Sequence, residues 1–125
     1  MLGEVEDMIN ETEFYIKICN VFLVQNHLIK SVALETTVFS FKISVPFEQW
    51  AAVYDSEENK QLMKEEKIVC LYRGINKEDP SSAVVIEQAE EGKSIAMFSN
   101  PEVRPLIEEA GHIYDSTVIT SYLQS

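Results

Sequence analysis

Residues 36–50 read TTVFSFKISVPFEQW, and the fold turns on a change of period inside them. From Thr36 to Val45 the residues alternate: Phe39, Phe41, Ile43 and Val45 share one face, and Val38, Ser40, Lys42 and Ser44 the other. Period two marks a strand. Pro46 then suits the first turn of a helix, where its missing N–H is no loss. Beyond it, Phe47, Trp50, Ala51 and Tyr54 recur at helical spacing. This row of aromatics around the only tryptophan of the chain has two readings. It is either one helix's share of a core or the wall of a pocket for a flat ligand. Large aromatics most often serve burial, so the row is expected to fasten the helix onto the Phe39/Phe41/Ile43 face. Trp50 and Tyr54 are then the first candidates to line any pocket beneath.

Downstream the pattern repeats. Ser56, followed by Glu57 and Glu58, reads as a helix start, so DSEENKQLMKEEK continues or restarts the helix, with Leu62 and Met63 on its apolar side. KIVCLYR (67–73) is a second strand. GINKEDPSS is its turn, punctuated by Gly74, Asn76, Asp79 and Pro80, and AVVIEQA (83–89) is a third strand antiparallel to the second. EEGKSIAMFSNPEVRPLIEEAG is helical but broken. Asn100-Pro101 reads as a new start, Pro105 shortens or delays that helix, and Gly111 caps it. HIYDSTVITSYL (112–123), rich in β-branched and aromatic residues, is the fourth strand. The order β-α-β-β-α-β predicts a ferredoxin-like α+β fold: a four-stranded antiparallel sheet with helices on one face.

Residues 1–34 differ in composition from the rest. The run FYIKICNVFLVQNHLI is shorter than the ~20 apolar residues a membrane span needs and holds Lys17, Asn20, Gln25, Asn26 and His27. Its flank carries Glu4, Glu6, Asp7, Glu11 and Glu13 where a secretory signal would be basic. The expectation is an N-terminal extension over 1–34, either an extra packed element or a stretch ahead of a misassigned start at Val32 or Leu34, with the domain proper at 35–125.

The chain has 125 residues and a formal net charge of −11, with no Lys/Arg cluster. Nucleic-acid and anionic-membrane partners are therefore not expected. Cys19 and Cys70 sit inside apolar runs without the spacing of a disulfide framework or metal site, which fits buried thiols in a reducing cytoplasm. The unbroken apolar runs IVCLY and AVVI put large hydrophobes on both faces of strands two and three, although the helices cover only one. A bare face of that kind marks an interaction site. A second copy packed face to face is its simplest cover, giving an isologous homodimer; the N-terminal segment is the competing cover.

ETTVFSFKISVPFEQWAAVYDSEENKQLMKEEKIVCLYRGINKEDPSSAVVIEQAEEGK, the RPLIEEAG helix and the final STVITSYL strand together resemble a small uncharacterised family known mainly from marine cyanobacteria. That family is similar to the dimeric α+β barrel superfamily, which includes the antibiotic-biosynthesis-type monooxygenases. FEQWAAVYDSEE and LYRGINKEDP are the most specific pieces. The resemblance covers Glu35 to the C-terminus. It implies the barrel and the dimer, and little about activity, because one superfamily hosts many functions. Relatives that degrade haem use a Trp on the second helical segment and an Asn near the first strand. Here the Trp lies on the first helix, with Ser40 and Lys42 beside the first strand, which counts against haem chemistry.

The chemistry-bearing residues are few. His112, at the mouth of strand four, has the side chain for a general base or metal ligand near neutral pH, or for a partly exposed helix-end histidine facing the dipole. Arg73 either clamps a carboxylate ligand or pairs with a nearby acid. Lys42 must be paired, snorkel, or face a ligand anion; Asp115 and Glu87 are its expected partners. Tyr72 joins Trp50 and Tyr54 as a candidate pocket residue. No metal signature, P-loop, dinucleotide fingerprint or serine-hydrolase motif is present, and no cofactor is expected. Two functions stand. The first is a non-enzymatic dimeric barrel that binds a small apolar molecule. The second is a cofactor-free monooxygenase-like or isomerase-like enzyme, which requires an open cavity reaching at least two of His112, Arg73 and Lys42.

Overall fold

The computed structural model describes residues 33–124. The expectations for the N-terminal extension lie, but for its last two residues, outside them. The elements run β1 (Leu34–Ile43), α1 (Phe47–Tyr54), α2 (Glu57–Glu65), β2 (Val69–Ile75), β3 (Ser82–Glu90), α3 (Lys93–Ser99), α4 (Arg104–Glu109) and β4 (His112–Leu123). The sheet order is β2-β3-β1-β4, and each neighbouring pair is antiparallel. Each helical crossover skips one strand, which gives the ferredoxin-like α+β fold with its helices on one side.

β1 is the central strand. Phe39, Phe41 and Ile43 are buried against Trp50, Ala83, Val85 and Ala110, with Val45, Phe47, Tyr54 and Phe98 packed around them. Trp50 meets Phe41 and Phe47 at ring distances of 5.6 and 5.4 Å and stacks on Tyr54 at 5.0 Å. The aromatic row of α1 thus closes the core; burying each such side chain contributes ~1.5–3 kcal/mol.

Local chemistry sets the breaks. The chain leaves α1 at Asp55 and restarts at Ser56, whose Oγ accepts from Asn59 N at 3.2 Å. The buried Asn59 donates through Nδ2 to Tyr54 O at 2.7 Å, tying the two helices end to end. Pro46 precedes the first helical residue as its cap instead of opening the first turn. Lys67 takes a left-handed φ of 56° after α2, so β2 begins at Val69, later than the alternation suggests. Gly74 lies within β2, and the turn is held by Asn76 Oδ1, which accepts from Glu78 N and Asp79 N at 2.8 and 3.0 Å. Asn100 likewise holds a turn, its Oδ1 accepting from Glu102 N at 2.8 Å, and α4 starts only at Arg104. Gly111 has φ +97°, and a Cβ there would lie 2.5 Å from Val45 Cγ2. Only glycine meets both conditions.

Two bulges interrupt the period. In β2, Cys70 pairs with Glu87 and Tyr72 with Ile86, leaving Leu71 unpaired. In β4, Ile113 pairs with Lys42 and Val118 with Ser40, so residues 114–117 stand opposite Phe41 alone. Side chains fill the second gap. Ser116 Oγ accepts from Lys42 N at 2.8 Å and donates to Ile113 O at 2.6 Å, while Thr117 Oγ1 donates to Tyr114 O at 2.7 Å. A bulge re-aims every side chain beyond it.

Candidate functional site

Between the helices and the inner sheet face lies a cavity of about 90 Å³. Phe39 and Phe41 from β1, Trp50 and Tyr54 from α1, and Phe98 from α3 give it aromatic walls; Met63, Met97 and Leu106 complete much of the remainder. Besides Asn59, whose amide is tied to Tyr54 O, polar atoms enter at two places, both centred on strands that carry a bulge or pair with one.

At the first, Glu87 stands on the inner face of β3 in step with Val85 and Ala89. Tyr54 Oη donates to Glu87 Oε2 at 2.7 Å. Burial raises the pKa of Glu87, and the Tyr54 and Ser94 hydroxyls oppose the rise. Tyr54 itself is pushed far above the usual phenol range, first by burial and then by the Glu87 charge, so it stays a neutral donor. Ser94, on the first turn of α3, is 2% exposed. It lies near enough to Glu87 to influence it, yet its Oγ makes no hydrogen bond of ordinary geometry.

At the second, His112 is buried, its ring flat on Phe41 at 3.7 Å and 5°. Its Nε2 lies 2.7 Å from Thr117 Oγ1, whose one proton is committed to Tyr114 O. The imidazole must therefore donate from Nε2, which leaves Nδ1 with a lone pair. Burial lowers the His112 pKa to about 4. The ring is neutral at pH 7 and a weak base there, a fixed dipole more than a proton acceptor of the kind expected from the sequence.

Of the residues singled out by sequence, His112, Trp50 and Tyr54 meet in this cavity; Arg73, Lys42 and Tyr72 do not. The β2 bulge turns Tyr72 onto the outer face beside Ile86, where it is exposed. Arg73 reaches the helix side but grips Asp55 with both guanidinium nitrogens, the Nη2–Oδ2 arm at 2.8 Å. The guanidinium beside Asp55 holds that carboxyl below the usual carboxylate range. Arg73 also lies 5.8 Å from the Tyr54 ring centroid, a second contact on a ring that stacks on Trp50. Lys42 pairs with Asp79 at 2.8 Å and with Ser82 Oγ at 2.8 Å on the outer face, and neither Asp115 nor Glu87 is its partner. Glu87 was the residue missed as a site. Its signal was its place in the period-two run Ala83, Val85, Glu87, Ala89, an acid where an apolar residue belongs.

Among the described residues no cluster of three or more His, Cys, Asp or Glu is placed to hold a metal ion. Nor is any helix among them long and apolar enough to cross a membrane.

Residues 34–124 match the family described as Domain of unknown function (DUF3764). The chain belongs to that family. No functionally curated protein matches it. Among solved structures it is similar to protein SO0527 from Shewanella oneidensis, at 11% identity and TM-score 0.48, covering 75% of this chain and 93% of that one. A conserved protein from Methanosarcina mazei Go1 is similar at 20% identity and TM-score 0.48, with 76% and 96% covered. SnoaB, a cofactor-independent oxygenase from Streptomyces nogalater, is similar at 11% identity and TM-score 0.46, with 74% and 92% covered. Likeness at this level says nothing about what a DUF3764 protein does.

Proposed function

We propose that this DUF3764 protein is a homodimeric α+β barrel that binds a small, mainly apolar molecule between its helices and its sheet, in a reducing cytoplasm. The observation that carries the binding reading is the aromatic-walled cavity of about 90 Å³ beneath Trp50 and Tyr54. Mostly apolar walls with a few convergent polar groups are the usual make-up of a ligand pocket. An engineered apolar cavity of ~150 Å³ takes benzene, so this one holds a guest of roughly four heavy atoms as it stands, by the same proportion. A larger guest requires the short α3–α4 segment to give way.

The dimer reading rests on the opposite face. Val69, Tyr72, Ile113, Val118 and Tyr122 are exposed there, all on the outer side by strand pairing. A self-complementary partner covers such a patch with an isologous interface. The free Cys70 thiol fits a reducing compartment. The competing enzyme reading requires at least two of His112, Arg73 and Lys42 at one cavity; with the last two engaged elsewhere by Asp55 and Asp79, it has His112 alone there.

Native mass spectrometry of protein from its source tests both halves. A dimer mass with a retained small molecule is expected, and the Trp50→Phe variant should keep the dimer and lose the guest. A ligand-free monomer at micromolar concentration would overturn the proposal.

A further inference from the structure

Two polar groups of the cavity wall lack full partners, and an aromatic wall surrounds them. The Glu87 carboxyl has no cationic partner: among the described residues no Lys, Arg or His nitrogen lies within 4.0 Å of it, and its hydrogen bond from Tyr54 reaches Oε2 alone. The Ser94 hydroxyl, 2% exposed, is the buried side-chain oxygen without a hydrogen-bond partner among the described residues, and it lines the same cavity. Phe41, Trp50 and Tyr54 border the space, and neither a lysine nor an arginine does.

A half-buried carboxylate without a counter-charge is costly, and supplying the cation offsets part of that cost. A buried hydroxyl without a partner adds a further penalty. The aromatic wall suits an apolar chain. Together these features favour one kind of guest. Resting on the binding reading above, we propose that the cavity is a site for a small primary amine. The ammonium lies between Glu87 and Ser94, and the apolar chain lies along the aromatic wall. The same wall repels carboxylates, since a guest anion would meet Glu87 with no cation to balance it, in a chain whose net charge is already −11. His112, neutral at pH 7, adds no positive charge to the wall.

A matched series of four- and five-heavy-atom probes separates charge from shape: propylamine, 1-propanol and propionate, titrated into the full chain at pH 7. Trp50 is the only tryptophan and lines the cavity, so its fluorescence reports occupancy directly. Propylamine should bind at least tenfold more tightly than 1-propanol, and propionate should not bind over the same range. In E87Q, propylamine should fall to the level of 1-propanol while 1-propanol itself stays within about twofold. Ser94→Ala should weaken propylamine several-fold and spare 1-propanol, a second variant should E87Q fail to fold. Equal affinity of wild type for propylamine and 1-propanol would overturn the amine assignment and leave the pocket standing. So would an amine preference that survives E87Q, because the attraction would then come from overall charge. No response to any probe would overturn the pocket reading and the assignment with it.

Discussion

On the helix side of the sheet Phe39, Phe41, Ile43 and Val85 are 3–4% exposed, and on the outer side Val69, Tyr72, Val118 and Tyr122 are 56–63% exposed. The two sets belong to one sheet, the buried one on its central strands β1 and β3 and the exposed one on its edge strands β2 and β4, and they share the same β-branched and aromatic chemistry. One is closed by the chain's own helices; the other leaves a row of large side chains in water, a loss of ~25 cal/mol for each Å² that a partner could cover. Alternation along a strand records which residues share a face. It does not record what covers that face. The inner side owes its closure to α1 and its stacked aromatics, and the outer side has no element of the described chain to serve it.

That contrast can be broken by substitution. Trp50→Ala should have the largest effect, a loss of ~3–5 kcal/mol in denaturant unfolding; a loss below ~1 kcal/mol would mean that α1 does not close the core. Acid comes next. The His112 pKa falls from 6.5 to about 4 on folding, so between those values the unfolded chain holds more protons than the folded one. Stability should therefore drop by about 3 kcal/mol as pH falls from 6.5 to 4, at ~1.4 kcal/mol per pKa unit, and the contribution should be constant below that window. His112→Gln should flatten this slope in urea midpoints measured across the range. Ser56→Ala, which removes the cap that restarts the helix, should cost ~1 kcal/mol by the same assay. The smallest change in intrinsic stability should come from the other side of the sheet. Val118→Glu should alter concentration-independent unfolding by no more than ~0.5 kcal/mol and yet convert a sedimenting dimer to monomer. If it instead destabilises the domain as Trp50→Ala does, the outer face is covered within one chain.

Much of the fold was legible because its signals are local. The alternation from Phe39 to Ile43, the Ser56 restart, the Gly111 cap and the β-branched run of β4 each stand in the sequence as they stand in the structure. The candidate site was less so. Trp50, Tyr54 and His112 were recognisable by residue type, and the cavity brings them together. Tyr72 was misplaced because an unpaired Leu71 shifts the strand by one residue, and nothing in IVCLYR marks the extra residue. Arg73 and Lys42 looked available because their partners, Asp55 and Asp79, approach only once the chain has folded. Glu87 was hidden among apolar neighbours for a different reason: an acid inside an alternating run reads as solvated until the face it shares is known.

The interruption opposite Phe41 also sets a rule for how β4 can change length. His112 and Ile119 both belong to the inner side by their pairing with Ile43 and Phe39, although they are an odd number of positions apart, which an unbroken strand would place on opposite sides. Residues 114–117 absorb the discrepancy. The paired positions on β1 are four apart and those on β4 seven, so β4 carries three residues more than an unbroken ladder needs. Removing three would restore regular pairing with both residues still facing the helices, at the cost of the Ser116 and Thr117 hydrogen bonds that fill the gap. Relatives with this fold should therefore carry either this interruption or a regular β4 three residues shorter.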